Sequence, residues 1–456
     1  MNRKDIDCMH QHALKNLKMF GITPMRGILS PELFQSASHN TPRSSTLLIP
    51  EVVFWLMATV SLAQKSMAGS ICAFWADLRG AIPFLSPTPI TEEAFCIARK
   101  KLKLRFFKHI FSSVIQRYQQ THLAAQYSWR GFRLLGIDGM KMALPSSVKL
   151  KKYFPPASNH NGDSTLAQGL LVGLVGLWDG ICYDFKLVSN KGSEQKCARH
   201  LIRRFLGQGD LLMCDRNFPD YHTLALLSFR KAAYLFHLAS NRFNKLTQTK
   251  TPSGRDDEWY ITLCLPKKLR TQFPDFPIEL TARVIHYQHK GFRPSFLITS
   301  LLDTDLYRYE EIVNLYHQRW RQETMHREWK YTLSMSNLRS TTVRGIFKEV
   351  YVQLTINNVL RWLMSEAAEL SHCRPVDLKF LECKRLLMSD VCVMSTAPLE
   401  LLPHIYRTLI QNLSEQKIRV RPGRSYPRKH DDKPRNKGNG KYALPARVAE
   451  EGAAAA

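Results

Sequence analysis

The sequence predicts an α/β fold in which a mixed core of strands and helices lies between two helical segments. From residue 50 to residue 118, apolar residues recur at intervals of three and four, the period of a helix with one buried face. From residue 131, short apolar runs bounded by turn residues are typical of buried strands, with helical patterns between them. A long helical pattern returns at residues 345–367.

The N-terminal residues 1–125 are expected to be helical. The apolar face of a first helix contains Val52, Val53, Leu56, Met57 and Val60. A break is expected from Met67 to Ser70, before a second helix. Thr91 is well placed to cap a third helix. This helix is predicted to run through residues 98–111, a segment rich in basic residues. This arrangement predicts either a DNA-binding module or a packing domain with a solvated basic face.

Seven elements are predicted in the core that follows. Three strands, the last two joined by a turn at Trp178–Gly180, precede a helix capped by Ser193. A fourth strand then ends at Asp215, and a helix and a fifth strand come next. Residues 242–294 contain several further strand-like runs, which predict a β-rich insertion before the chain returns through residues 295–302.

Two aspartates close strand-like runs of this core. Asp138 ends an apolar run and is followed by Gly139, which allows a turn and the close approach of a ligand. Asp215 ends the fourth strand. A strand that delivers a carboxylate at its polar end is a common way to build a metal site, although either aspartate alone is more often a turn residue.

A third carboxylate lies in a helix-like stretch with the pattern Y-x2-R-x3-E-x6-K. Its residues are Tyr316, Arg319, Glu323 and Lys330. On a helix, Arg319 stacks on Glu323, and Lys330 lies roughly two turns further on. A carboxylate flanked by cations suits a group that touches both a metal ion and a phosphate. The alternative is a solvated helix face with ion pairs.

Three acids placed on strand, strand and helix form a more specific pattern than any one of them. Two Mg2+ ions held about 4 Å apart by such carboxylates activate an oxygen nucleophile and stabilise the leaving oxygen of a phosphoryl displacement. This chemistry is that of a nuclease or a transposase. The 16 histidines show no spacing that competes with it.

The motifs IDGMKMALP, CDRNFPDY and Y-R-E-K together resemble the DDE transposases of bacterial insertion sequences, in the family-four group with the Y-R-E-K signature. Similarity runs from Leu134 to Asn358 and includes residues 86–102 and 421–428. Two departures are Met140, where the group usually has a small hydroxyl residue, and Asn217, where glycine is common.

The resemblance implies an RNase H-like catalytic core, with Asp138, Asp215 and Glu323 holding two Mg2+ ions, for which Mn2+ may substitute. It implies that Tyr316, Arg319 and Lys330 hold phosphates near the transposon end, and that a dimer joins two ends. The expected layout is a helical domain at 1–125, core at 126–241, a β-rich insertion at 242–294, core at 295–365, a C-terminal helical region at 366–415 and a basic flexible tail at 416–456.

The composition agrees with a DNA-binding protein. The net charge of +27 points to a polyanionic partner, and no apolar run of about 18 residues would span a membrane. The N-terminus lacks the apolar core of a signal peptide, so a cytoplasmic protein is expected. The basic tail is expected to lie along a DNA backbone or merely to aid solubility.

These features predict a DNA transposase that cleaves at terminal inverted repeats and transfers strands into target DNA by a cut-and-paste route. The rival hypotheses are a structure-selective nuclease of the same fold, which cuts without joining, and a non-catalytic relic. Trp259 and Trp320 are candidates for stacking on an unpaired base, with a core role as the commoner fate of a tryptophan.

Overall fold

The computed structural model describes residue 8 and residues 28–37, 48–62, 66–81, 90–159, 162–239, 250–253, 255–288, 294–396 and 399–419. Within these ranges, the residues up to Tyr287 and from Pro294 to Ile418 form one compact unit. The predicted basic tail lies outside the described residues from residue 420 onward.

The N-terminal part of the chain is helical, as predicted. Its helices are α1 Pro31–Ala37, α2 Pro50–Leu62, α3 Met67–Ala81, α4 Glu92–Lys101, α5 Leu104–Gln119 and α6 His122–Gln126. Thr91 caps α4 as expected, because its Oγ1 accepts the N–H of Ala94 at 3.1 Å. The break predicted at Met67–Ser70 is wrong. Oγ of Ser66 accepts the N–H of Gly69 at 3.0 Å and so starts α3 at Met67.

The single helix predicted through residues 98–111 is also wrong, since it is divided into α4 and α5. The residues between these helices, Leu102 and Lys103, have extended backbone angles. Each helix buries its own aromatic residues, such as Phe95 on α4 and Phe107 on α5. Two extended residues change the direction of the chain, so that both apolar faces reach the core.

Eleven strands of the described chain form one sheet. They are β1 Ser128–Trp129, β2 Phe132–Leu144, β3 Pro156–Asn159, β4 Gly162–Gly176, β5 Cys182–Ser189, β6 Asp210–Cys214, β7 Ala233–Leu238, β8 Lys250–Pro252, β9 Glu258–Cys264, β10 Glu279–Tyr287 and β11 Ser295–Thr299. The sheet is mixed and mostly antiparallel, which gives the α/β class that the sequence predicted.

The five strands predicted for the core are neighbours in the order β5-β4-β2-β6-β7. β2 is antiparallel to β4 and parallel to β6, and β6 is parallel to β7. Between these strands lie the helices α7 Val148–Tyr153, α8 Glu194–Phe205 and α9 Tyr221–Phe229. Ser193 caps α8 as predicted, its hydroxyl accepting the N–H of Lys196.

The strands predicted for the insertion extend the same sheet. β11 pairs with β7, and β10, β9 and β8 continue outward in antiparallel pairs. A short helix, α10 Lys267–Gln272, connects β9 to β10. The ion pair between Arg283 on β10 and Glu258 on β9 is fully buried, with an N–O distance of 2.8 Å. Arg283 also donates to the carbonyl of Tyr307 at 2.6 Å.

The C-terminal part of the chain is helical. Its helices are α11 Tyr309–His317, α12 Trp320–Arg327, a π-helix at Glu328–Thr332, α13 Val343–Leu370, α14 Phe380–Thr396 and α15 Leu402–Ser414, with short 3-10 turns at Met335–Asn337, Pro375–Asp377 and Leu399–Leu401. Asn358 of α13 exchanges two 2.8 Å hydrogen bonds with the backbone of Cys182, which fixes α13 to β5. No helix in the described ranges is long and apolar enough to cross a membrane.

Candidate active site

Asp138 lies inside β2, and the prediction that it closes the strand is wrong. The pairing of β2 with β6 ends at Gly136, whereas its pairing with β4 continues to Leu144. The strand therefore extends past Asp138 because β4 still supplies hydrogen-bond partners. The side chain of Asp138 is 26% exposed, and its Oδ1 accepts the N–H of Gly139 at 2.8 Å.

Asp215 follows the last residue of β6, as predicted. Its Oδ1 accepts the N–H of Asn217 at 2.9 Å, a local turn that fixes the carboxylate. The side chain of Gln195, at the start of α8, donates to the carbonyl of Asn217 at 2.6 Å. Because β6 is the parallel neighbour of β2, Asp215 lies near Asp138, and their charges interact.

Glu323 lies on α12, but the signature stretch is not one continuous helix as predicted. α11 ends at His317, and α12 begins at Trp320. Between them the backbone forms hydrogen bonds to the third residue back, including Arg319 N–H to the carbonyl of Tyr316 at 3.0 Å. Lys330 then lies in the π-helix. The 3-10-type turn at Arg319 is tighter than an α-helix, and the π-helix that contains Lys330 is wider. Both change the direction in which the signature side chains project.

Two glycines allow the signature segment to pack against the sheet. A Cβ on Gly136 of β2 would lie 2.5 Å from Oε1 of Gln322, and one on Gly173 of β4 would lie 2.8 Å from the Trp329 ring. Nε2 of Gln322 donates to the carbonyl of Gly173 at 3.4 Å. The fully buried Trp329 donates from its indole nitrogen to Asn357 at 3.1 Å. These contacts fix the position of α12, and with it Glu323.

Arg319 and Glu323 form an ion pair, with Nη2 3.2 Å from Oε1. The Arg319 side chain is 12% exposed and that of Glu323 is 38% exposed. The guanidinium lies over the rings of Tyr316 and Trp320. Tyr316 is buried, its hydroxyl donates to the carbonyl of Cys214 at 3.4 Å, and burial raises its pKa above the usual value. The buried ring of Tyr316 therefore packs against the Arg319 guanidinium.

The Asp138 carboxyl has a pKa raised to about 6. Burial is the largest cause, and the negative charges of Asp215 and Glu194 raise the pKa further. The Gly139 N–H and the charge of Arg319 act in the opposite direction. Asp138 inside β2 and Asp215 just after β6 therefore carry charges that repel each other, as acidic groups in functional sites commonly do.

Residues 132–359 match the family described as the transposase DDE domain, which is half of the 456-residue chain. The chain belongs to the DDE transposase family. It is 25% identical over 423 residues to the transposase InsG for insertion sequence element IS4 of Escherichia coli (strain K12), covering 91% of this chain and 92% of that protein. The resemblance to bacterial insertion-sequence transposases inferred from the motifs is confirmed.

A solved structure is also similar to the transposase, that of the piggyBac transposase synaptic complex with hairpin DNA. The identity is 12% and the TM-score is 0.47, with 93% of this chain and 91% of that chain covered. The family match establishes the protein as a DNA transposase, an enzyme that breaks and joins phosphodiester bonds and belongs to a family that uses divalent metal ions.

Two residues near Asp138 in the transposase were not found from the sequence. His326 lies one turn after Glu323 with Nδ1 3.8 Å from Oδ2 of Asp138, and burial lowers its pKa to about 4. Its imidazole is thus neutral near pH 7 and forms no ion pair with Asp138. Glu194 lies in the first turn of α8 and interacts electrostatically with Asp215. Neither has a sequence spacing that distinguishes it from ordinary helix residues.

The structure brings two of the three predicted carboxylates together. Asp138 and Asp215 are neighbours, whereas Glu323 is paired with Arg319. Among the described residues, no three acids, histidines or cysteines are grouped closely enough to hold a metal ion together. Lys330 is exposed, with its ammonium 5.4 Å from the centre of the Tyr331 ring.

The two candidate tryptophans of the transposase differ in exposure. Trp320, which begins α12 beside Arg319, is 49% exposed. Trp259 on β9 is partly buried and packs against the hydrophobic core. An exposed ring next to the signature residues is accessible to a base, whereas Trp259 has the core position that is commoner for this residue type.

Proposed function

We propose that this transposase moves its element by a cut-and-paste route. It binds the terminal inverted repeats, hydrolyses phosphodiester bonds at the element ends, and uses the freed 3′ hydroxyl to attack target DNA. The observation that supports the proposal is the position of Asp138 on β2 and Asp215 just after its parallel neighbour β6, with α12, the helix of Glu323, close to Asp138 through Nδ1 of His326 at 3.8 Å. No covalent protein intermediate is needed for this chemistry.

We infer an RNase H-like core for this enzyme. The strand order β5-β4-β2-β6-β7, with the first two pairs antiparallel and the next two parallel, supports that assignment. It puts Asp138 on the central strand β2 and Asp215 at the end of its parallel neighbour β6. Residues 242–294 are then an insertion whose described strands lengthen the sheet beyond β7, and residues 1–125 are a helical domain that precedes the core.

Asp138, Asp215 and Glu323 are the proposed ligands of two Mg2+ ions, with Mn2+ as a substitute. The donor set fits, since all three offer the carboxylate oxygens that hard cations prefer. The mutual repulsion that raises the pKa of Asp138 is also relieved by a cation between the acids. When bound, the ions supply an activated oxygen nucleophile and stabilise the leaving oxygen.

Arg319 and Lys330 are the proposed phosphate ligands. Tyr316, which was also expected to hold a phosphate, is buried, and its proposed role is to position Arg319. A DNA phosphate competes with Glu323 for the Arg319 guanidinium, because both are anions suited to its planar fork. Binding of DNA would therefore release Glu323 toward Asp138 and Asp215. Buried Tyr316 limits the movement of Arg319, and exposed Lys330 adds a second cation to the same strand of DNA.

The basic surface outside the site extends this DNA contact. The exposed cations Lys100, Lys101, Lys103 and Arg105 lie at the junction of α4 and α5. They support a DNA-binding role for the helical domain, and the tail at residues 416–456 would add sequence-independent, salt-sensitive affinity. Bringing two element ends together requires at least two protomers in the active complex.

A joining assay tests the proposal. A labelled duplex carrying an element end is incubated with a supercoiled target plasmid and Mg2+. The expected result is a cleaved end that becomes joined to the plasmid, with both products lost in Asp138→Asn, Asp215→Asn and Glu323→Gln. Cleavage without any joined product would favour the nuclease alternative, and cleavage by Asp138→Asn at the normal rate would refute the site assignment.

A further inference from the structure

We propose that Asp377 is a positioning residue for DNA cleavage. It holds the break between α11 and α12, and so sets the positions of Arg319 and Glu323. The inference rests on the roles proposed above for those two residues. Asp377 ends the 3-10 turn Pro375–Asp377 of the C-terminal helical region and lies outside residues 132–359, the range that matches the DDE domain.

The break between α11 and α12 is held on both sides of Arg319. Nη1 of Arg374 donates to Oε1 of Gln318, the residue before Arg319, at 3.1 Å. Nη2 of Arg321, two residues after Arg319, donates to Oδ1 of Asp377. The chain on each side of Arg319 is therefore bound to the segment 374–377.

Asp377 joins these two contacts, because its carboxylate binds both arginines. Oδ2 accepts from Nε of Arg374 at 2.8 Å, and Oδ1 accepts from Nη2 of Arg374 at 3.4 Å as well as from Arg321. The two guanidiniums are thus held close together by one counter-charge. Without that charge they would repel each other, and the hold on residues 318–321 would loosen. The Asp377 side chain is only 26% exposed, so salt screens its interactions less than those of a fully exposed group.

The turn that contains Asp377 is itself fixed to the sheet. The Arg374 guanidinium lies 5.4 Å from the centre of the ring of Trp178, which lies in the turn between β4 and β5. The N–H of Val376, a buried residue, donates to the carbonyl of Trp178 at 3.4 Å. β4 also pairs with the part of β2 that contains Asp138. The segment 374–377 therefore links this sheet to the signature segment.

The residues held by this segment lie on a different side of the helical turn from the active-site residues. Gln318 and Arg321 are three residues apart and share one side, whereas Arg319 and Glu323 are four residues apart and pair on another. A rotation of residues 318–321 would therefore change where the Arg319 guanidinium and the Glu323 carboxylate point. Asp377 acts through the backbone that carries these groups, which makes it a positioning residue and not a catalytic one.

The competing explanation is that Asp377 only stabilises the C-terminal region. Its backbone carbonyl accepts the N–H of Ile418 at 2.8 Å, a contact within that region. Asp377→Asn retains this backbone contact and removes the side-chain charge. Glu382→Gln is the matched control, because it removes the charge from another ion pair of the same region, that of Glu382 with Arg385 at 2.9 Å.

The test is single-turnover cleavage of an element-end duplex by the full-length protein in excess. We expect Asp377→Asn to lower the rate about 10- to 100-fold, because a misplacement of about 1 Å can cost about 10²-fold. We expect Glu382→Gln to cleave like the unmodified protein. Normal cleavage by folded Asp377→Asn protein would overturn the proposal.

A second variant tests the same contact with a smaller change. Arg374→Lys keeps the positive charge but loses the planar fork that reaches Gln318 and Asp377 together, so it should also slow cleavage. If Asp377→Asn does not fold, normal cleavage by Arg374→Lys would overturn the proposal instead. Thermal denaturation identifies which variants are folded at the assay temperature.

A double-mutant cycle separates positioning from a general loss of structure. Asp377→Asn should slow cleavage much less in an Arg319→Ala background, where no guanidinium remains to be positioned. An equal reduction in both backgrounds would assign Asp377 a purely structural role and overturn the proposal. Unchanged cleavage by Arg319→Ala alone would refute the proposed role of Arg319 and this inference with it. Slow cleavage by Arg319→Ala with normal cleavage by Asp377→Asn would refute the inference alone.

Discussion

The guanidinium of Arg319 lies 3.2 Å from the carboxylate of Glu323, so that the proposed phosphate ligand holds the proposed metal ligand. Nε of Arg319 is buried without a hydrogen-bond partner in the described structure, although Nη2 is engaged. Glu323 is the more accessible partner, since its side chain is 38% exposed and that of Arg319 is 12% exposed. We expect a DNA phosphate to replace Glu323 on Arg319, because both anions suit the planar guanidinium.

We predict that Arg319→Ala lowers the rate of single-turnover cleavage by about 10²-fold, the loss found when a charge-stabilising donor is removed. Mn2+ affinity should be unchanged or higher, because Glu323 is freed. Arg327→Ala is the control, since Arg327 is exposed at the end of α12, the helix that Arg319 precedes. Loss of Mn2+ binding in Arg319→Ala would mean that Arg319 organises the metal site, contrary to the division of roles proposed above.

We predict that Asp138→Asn stabilises the metal-free protein near pH 7.5. The folded-state pKa of Asp138, about 6, is above the ordinary value of 3.8, so the folded state binds more protons between these values. Stability is therefore lost as the pH rises through this window. A shift of this size corresponds to about 1–3 kcal/mol. Urea denaturation with a chelator should show that difference at pH 7.5 and only a small one near pH 4.

A matching pH dependence is expected for activity. Protonation of Asp138 removes a metal ligand, so cleavage at low Mg2+ should decline as the pH falls through about 6. Saturating Mg2+ should move the decline to lower pH, because the cation favours the ionised carboxylate. A midpoint that does not respond to Mg2+ would assign the titration to another group.

Several features of the fold could be predicted because they depend on residues close together in the sequence. The caps at Thr91 and Ser193 depend on a hydroxyl and the N–H three residues later, and both are confirmed. The turn at Trp178–Gly180 and the strands on either side of it are also where the pattern placed them. Asp215 was expected at a strand end because the apolar run that precedes it stops there.

The features that escaped prediction depend on contacts between distant residues. Asp138 is inside β2 because β2 continues to pair with β4 beyond this residue. The sequence of one strand does not show which other strand it pairs with. The close approaches at Gly136 and Gly173 require knowledge of which helix covers the sheet. In the sequence, Glu194 does not differ from other acidic residues in the first turn of a helix. Its contact with Gly139 depends on how α8 packs against β2. The candidate acids could therefore be selected from the sequence, whereas the contacts that position them could not.

We predict that Gly173→Ala lowers stability by about 1–3 kcal/mol and also slows cleavage. The added methyl would lie 2.8 Å from the buried Trp329 ring, so the π-helix and α12 must shift away from the sheet. Gly207→Ala is the control, because a Cβ there meets no atom within 4 Å. Thermal denaturation and single-turnover cleavage measure the two effects. Normal cleavage by a destabilised Gly173→Ala protein would show that Glu323 tolerates the shift.

We predict that Glu258→Gln destabilises the protein by about 3–5 kcal/mol, because it leaves the fully buried Arg283 without its counter-charge. The control is Asp257→Asn, which breaks the more exposed pair with Arg255 and should cost less than about 1 kcal/mol. Arg283 also binds the carbonyl of Tyr307, just before α11. The insertion strands and the signature helices should therefore unfold in one transition, and a separate early transition in Glu258→Gln would show that β9 and β10 are not coupled to the catalytic helices.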